Sequence, residues 1–144
     1  MKNYSFEISE SNNDQLDKYL NKELINYGIA EAKGNRPKYI YCSINDANNH
    51  IIGGIKGYAM LNMFYISQLF VNEKHRGIGL GKKLLSEIEV VAKKHNCKII
   101  RLDTLNRKSH DFYEKSGFEK TITIHEYMNG FDLLFFHKNI NKNL

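Results

Sequence analysis

Six residues, Arg76 to Gly81, read Arg-Gly-Ile-Gly-Leu-Gly and stand between two segments of different hydrophobic period. Before them Ile66 to Val71 is an apolar run of strand length, and after them Leu80 to Ala92 repeats its apolar residues at helical spacing. Glycine accepts positive φ and lets a ligand come close to the backbone, while the first N–H groups of a helix have no partner inside it. A strand, a glycine hinge and a helix in that order therefore predict a bound anion, such as a phosphate group.

The remaining pattern extends this unit in both directions. Tyr4 to Ser9 alternates apolar and polar residues and predicts a first strand. Ser11 to Asp14 offers N-caps for one helix or two, with Leu16, Tyr19, Leu20, Leu24 and Tyr27 on one face and Gly28 or Gly34 at the end. Tyr39 to Ile44, Ile51 to Leu61 and Met63 to Val71 read as successive antiparallel strands. Gly53, Gly54 and Gly57 mark a bulge, or a place where a ligand or another backbone approaches. The apolar third strand is expected to be central and covered on both faces. A helix over Leu80 to Lys94, a strand over Lys98 to Thr104 and a short helix over Lys108 to Ser116 follow. Phe118 to Tyr127 and Phe131 to His137 form a last hairpin through Asn129-Gly130. The expected fold is α/β (α+β), a mixed sheet of about seven strands with helices on its faces, in a single domain over 1–144.

Composition narrows the function. A formal charge of +5 from 21 basic and 16 acidic residues suits an anionic ligand, and the dispersed Lys and Arg do not suggest a nucleic-acid partner. Cys42 and Cys97 are far apart and lack metal-ligand spacing, so neither a disulfide framework nor a metal site is expected, and a reducing cytoplasm fits. No segment approaches the roughly 20 apolar residues of a membrane span, and Met1 to Ser11 has no apolar leader.

Spacing then separates the phosphate-binding loops. A dinucleotide fingerprint starting at Gly77 requires glycine where Lys82 stands, and a Walker loop ending at Gly81-Lys82 requires glycine at Arg76 and a hydroxyl at Lys83. What remains, Arg-x-x-Gly-x-Gly, resembles the loop of the GCN5-related N-acetyltransferases. Downstream, Asn106 to Phe118 resembles that family's Asn-x-x-Ala-x-x-x-Tyr-x-x-x-Gly-Phe segment, with Ser109 in place of alanine. The resemblance implies a sheet splayed in its middle and acetyl coenzyme A as cofactor.

It further implies that Arg76, Gly77, Ile78, Gly79, Leu80, Gly81 and Lys82 hold the pyrophosphate, and that the main chain of Leu69, Phe70 and Val71 pairs with the pantetheine arm. Asn106 and Ser109 line that arm, although asparagine is also a good cap for the helix that follows. The implied reaction is acetyl transfer from acetyl coenzyme A to a primary amine of a small molecule or of a peptide or protein, through a tetrahedral intermediate. The Leu69 N–H meets the oxyanion and Tyr113 protonates the departing thiolate.

The general base stays open, because Met63 to Val71 contains no Asp or Glu. Asp103 is one candidate, with Glu73, Glu31 and His125 behind it. Tyr58, Tyr65, Gln68, His125, Tyr127 and Glu31 are candidates for contact with the acceptor. The alternative reading is a non-catalytic module of the same fold that senses an acyl coenzyme A. A homodimer is an expectation from resemblance alone.

Overall fold

The computed structural model describes residues 4–31, 36–105 and 107–141. They fall into two compact units, Met1–Arg36 and Pro37–Leu144. The first contains α1 (Asp14–Glu31), which runs unbroken through Gly28. Asn13 caps it, its Oδ1 accepting the Leu16 N–H at 3.0 Å. Residues 4–9 form no strand, so the sheet has six strands instead of about seven. Alternation makes a strand only where another strand supplies ladder partners. Here the chain bends instead, with the Ser9 and Ser11 hydroxyls 2.8 Å apart and the Ser11 N–H donating to Ser9 Oγ at 3.1 Å. Such local bonds compete with sheet pairing.

The second unit is built on β1 (Lys38–Asn45), β2 (Ile51–Met60), β3 (Met63–Val71), β4 (Ile99–Thr104), β5 (Glu119–Met128) and β6 (Phe131–Asn139). They lie in the order β1-β2-β3-β4-β6-β5, and β3–β4 is the parallel pair. That pair is joined through α2 (Leu80–Lys94), as a parallel connection requires. A second helix, α3 (His110–Lys115), follows β4. Asn129 and Gly130, with φ of 47° and 78°, turn β5 into β6.

One apolar cluster holds these elements together. Ile55, Ala59, Phe64 and Ile66 come from β2 and β3, and Ile100 and Leu102 from β4; Leu84, Leu85, Ile88 and Ala92 come from α2, and Tyr113 from α3. Lys138 of β6 is tied to Glu89 of α2 at 2.7 Å. Burial alone would raise the Glu89 carboxyl, but Lys138 and Lys93 together bring it below its ordinary value.

The three glycines of β2 mark close approach of neighbouring backbones. A Cβ at Gly53 would lie 2.9 Å from Phe70 O and one at Gly54 2.9 Å from Cys42 O. At Gly57 a Cβ would overlap the Tyr65 carbonyl oxygen and sit 2.7 Å from the Phe64 ring. The bulge itself is on β3. Lys56 pairs with Gln68 while Gly57 pairs with Ile66, so Ser67 is the extra residue, its Oγ donating to Lys56 O at 3.1 Å.

This bulge coincides with the parting of the sheet. The β3–β4 ladder stops at Tyr65↔Arg101, although β3 runs on to Val71 and β4 to Thr104. Beyond Tyr65, β3 keeps β2 on one side and has no ladder partner on the other. The expectation that β3 is covered on both faces is corrected here, since Ser67, Gln68 and Phe70 are exposed while Phe64, Ile66 and Val71 are buried. Ser67 and Gln68 break the apolar pattern of β3, and they lie in the half of the strand from which β4 departs.

Candidate active site

The glycine loop joins the free half of β3 to α2. After β3, Glu73–His75 makes one 3-10 turn, capped by Asn72. Arg76 folds back on the strand, donating through Nε to Val71 O at 2.8 Å and lying over the Phe70 ring at 5.4 Å. Its Nη1 is 3.6 Å from Glu73. Gly77 and Gly79 have φ of 82° and 89°, and no atom lies within 4 Å of where their Cβ atoms would be. A side chain at either would meet backbone strain and would fill open space above the loop.

Gly79 is the N-cap of α2 and offers no side chain to it. The Lys83 N–H reaches Gly79 O at 2.9 Å, so the N–H groups of Leu80, Gly81 and Lys82 have no partner inside the helix. Lys83 is paired with Glu87 at 2.8 Å, whereas no carboxylate lies within ion-pair distance of Lys82 among the described residues. The first turn is pressed against α3, since a Cβ at Gly81 would meet the Phe112 ring at 3.2 Å. Positive-φ glycines, free helical N–H groups and an unpaired cation form a cradle that fits a pyrophosphate.

Leu69, Phe70 and Val71 occupy the part of β3 that faces the gap. Across it, Thr104 at the end of β4 meets Ser109 at the start of α3, their hydroxyl oxygens 3.3 Å apart. Asn106 lies outside the described residues. Tyr113 is buried against Phe112, Phe118 and Phe136, with ring centroids 5.1, 5.7 and 5.5 Å away. Burial pushes its phenol above the ordinary value, and its hydroxyl makes no hydrogen bond to a described residue.

The opposite face of the sheet carries the acceptor-side candidates. Tyr58 and Tyr65 are cross-strand partners with rings 5.6 Å apart, and Tyr39 on β1 extends the row at 5.8 Å. Tyr65 donates its hydroxyl to Asp103 Oδ1. Gln68 lines a groove of about 450 Å³ with Tyr41, Gly54, Lys56 and Phe70.

Burial first, and then the bond to Asp103, push the Tyr65 phenol up from 10.0 to about 12. The proton is bound more tightly in the folded state, so this group's contribution to stability is complete below pH 10 and is lost as pH rises from 10 to 12. A spectrophotometric titration is expected to find a phenol that ionises near pH 12, and Asp103→Asn to lower it without reaching 10, because burial remains.

His125 and Tyr127 are exposed on β5. Nearby stands a carboxylate that sequence reasoning missed. Asp132 is the buried charged side chain among the described residues, at 7% exposure. Its Oδ1 accepts the N–H of Glu126, whose φ is 49°, at 3.0 Å, and its Oδ2 lies 2.6 Å from Arg107 Nη2 and 3.4 Å from His125 Nδ1. The Glu126 N–H and then Arg107 hold the carboxyl below its ordinary value. It thus ties the irregular part of β5 to the segment after β4.

Glu31 is the last residue of α1, in the other unit. His110, Asp111 and Glu114 bring ligand atoms within 4.8 Å of one another, all on one exposed turn of α3 where His110 and Glu114 are an ordinary i,i+4 pair.

A splayed parallel pair followed by a glycine loop on a helix N-terminus agrees with what residues 5–118 match, the profile of the Acetyltransferase (GNAT) family. The chain belongs to the GNAT acetyltransferase family. An acetyltransferase of Agrobacterium fabrum is 29% identical over 116 residues, covering 81% of this chain and 85% of the relative. Among solved structures, a candidate acetyltransferase from Agrobacterium tumefaciens superposes with a TM-score of 0.86 at 27% identity, over 94% of this chain and 99% of the other. A candidate streptothricin acetyltransferase from Bacillus anthracis, solved with acetyl coenzyme A, gives 0.65 at 28% identity over 84% and 71%. The cofactor of the GNAT family is acetyl coenzyme A.

Within this GNAT chain the sequence held a signal for Asp132 that was not read. A carboxylate in the apolar strand Phe131-Asp132-Leu133-Leu134 requires a polar partner when buried. The hairpin brings Glu126 and His125 to it, but Arg107 comes from the turn after β4, which only the assembled sheet places there.

Proposed function

We propose that the protein is an N-acetyltransferase for a primary amine of a small molecule or peptide. The observation that carries the reading is the conjunction of the open glycine cradle at the start of α2 with a β3–β4 ladder that ends at Tyr65↔Arg101. When bound, acetyl coenzyme A supplies an acetyl thioester that a neutral amine takes up. The N–H groups of Leu80, Gly81 and Lys82, with the Lys82 ammonium and the loop backbone of Arg76 to Gly79, hold the phosphates. The main chain of Leu69, Phe70 and Val71 would hold the pantetheine arm, and the Leu69 N–H would be the donor to the acyl oxygen. Ser109 and, by the sequence resemblance, Asn106 would help to hold the same arm.

Tyr113 Oη holds a proton on the cofactor side of the gap. Burial raises its pKa, so the phenol is protonated at neutral pH. Asp103, on β4 beyond the last β3–β4 pair, takes the proton of the amine on the other face. This carboxylate on the adjacent strand fills the role for which β3 has no acidic residue, and so favours catalysis over an acyl coenzyme A sensor. The free thiols Cys42 and Cys97 support action in a reducing compartment.

Thiol release from acetyl coenzyme A across a panel of amines tests this reading. Tyr113→Phe is expected to lower kcat by roughly 100-fold or more, the usual contribution of a positioned acid, with KM unchanged. Its stability should change little, since the lost hydroxyl bonds no described residue. Undiminished turnover in Tyr113→Phe would remove the acid assignment, and absence of turnover with every amine would remove the activity.

A further inference from the structure

We propose that the acceptor enters as a cation, an alkylammonium whose charge rests against the Asp103 carboxylate and whose carbon chain lies along the rings of Tyr65, Tyr58 and Tyr39. The proposal rests on the acetyltransferase reading for the word acceptor, but the site is defined by its own geometry. Asp103 is half-buried and accepts one hydrogen bond, from Tyr65, among the described residues. Among the described residues no Lys, Arg or His comes within 4.0 Å of it, whereas Asp46, Glu73, Glu87, Glu89, Glu114, Glu119 and Asp132 each have such a neighbour, and Asp111 and Glu126, which also lack one, are exposed.

Arg101, two residues back on the same face of β4, has its Nη1 3.9 Å from Met63 Sδ, and its charge acts on the Tyr65 phenol without reaching ion-pair distance of Asp103. Lys56, on the tyrosine face of β2, is opposite Gln68 and is separated from β4 by the whole of β3. A carboxylate withdrawn from water without a cation is an uncompensated charge, and its pairing with a phenol alone leaves one oxygen available.

What surrounds that charge is aromatic. The rings of Tyr39, Tyr58 and Tyr65 follow one another at 5.8 and 5.6 Å across three strands, tilted by 58° and 47°. Tyrosine rings attract cations over their faces and shed water from an alkyl chain. The tyrosine nearest the carboxylate is also bonded to it, so the ring row and the charge form one continuous strip. Asp103 ends the strip beyond Tyr65↔Arg101, where β3 and β4 have parted, so a cation on the strip is delivered to the gap. An anionic acceptor would meet the Asp103 carboxylate with like charge.

The test uses two probes of equal length and different charge, n-butylammonium and 1-butanol, added to the full-length protein with coenzyme A, so that no acetyl group is transferred. Tyrosine ring signals are followed by nuclear magnetic resonance. The ammonium is expected to bind at least tenfold more tightly than the alcohol and to shift the signals of Tyr65 and Tyr58. Asp103→Asn should abolish that preference, whereas Tyr65→Phe, which keeps the ring, should retain it within about threefold.

Equal binding of the two probes, a preference that survives in Asp103→Asn, or failure of both to perturb the tyrosines would overturn the proposal. If Asp103→Asn does not fold, the comparison of probes on the native protein still decides. Stabilisation by acetyl coenzyme A, measured on the same protein without coenzyme A or probe, reports separately on the cofactor reading.

Discussion

Gly57→Ala is expected to lower the melting temperature by about 10 °C and to disturb the parting of the sheet. The added methyl would overlap the Tyr65 carbonyl oxygen and press on the Phe64 ring, and Phe64 is fully buried. A flexible side chain could move aside, but a ladder carbonyl moves only with its strand. Overpacking in a core costs about 1–3 kcal/mol, and contact with fixed backbone places this change at the upper end. For a domain of this size each kcal/mol is worth about 3–4 °C, which gives the stated shift.

The strain is local to a functional place, because Gly57 is opposite Ile66, next to the Ser67 bulge where β3 leaves β4. Thermal unfolding of Gly57→Ala alongside Gly77→Ala checks this. Gly77 has open space around it and meets only the penalty of positive φ, about 1–2 kcal/mol, so it should melt several degrees higher than the β2 variant.

Gly79→Asp is expected to weaken acetyl coenzyme A binding roughly 100-fold or more while leaving the fold in place. The residue caps α2 in the left-handed region with nothing within 4 Å of its Cβ position, so the substitution meets no clash. Asp tolerates that conformation better than most residues. What changes is the cradle. A carboxylate at the N-cap takes up free N–H groups of the first turn and puts negative charge where a pyrophosphate would rest, reversing the sign of the local field. A 100-fold loss corresponds to about 2.7 kcal/mol, within what a few charge-assisted hydrogen bonds supply. Calorimetric titration of native and variant protein reads the effect, and equal affinities would show that the loop does not hold the phosphates.

Where sequence was a sufficient guide, the determinant was local. The bounds of α2, the Asn129-Gly130 turn and the loop conformation follow from apolar period and from glycine at positions of positive φ, and each lies within a few residues of its cause. Gly53, Gly54 and Gly57 announced a close approach, but the neighbours that demand it, Phe70, Cys42 and Tyr65, are set by register.

The failures have the same origin. Tyr4 to Ser9 has strand alternation and no ladder partner, and β3 has an apolar run with one neighbour that leaves it. The loop and Tyr113 could be named as site candidates from sequence because each lies in a motif of fixed local spacing. The Tyr39–Tyr58–Tyr65 row with Asp103, and Asp132 with Arg107 and Glu126, join residues from separate elements and could be seen only once the sheet was assembled.

The central claim is that the loop at the start of α2 binds acetyl coenzyme A. The most direct measurement is the melting temperature of the native protein with and without acetyl coenzyme A at about 100 times its dissociation constant. Binding to the folded state alone should stabilise it by about 2.7 kcal/mol, a rise of several degrees that Gly79→Asp loses. A native melting temperature that does not move with acetyl coenzyme A, or an equal rise in Gly79→Asp, would contradict the account.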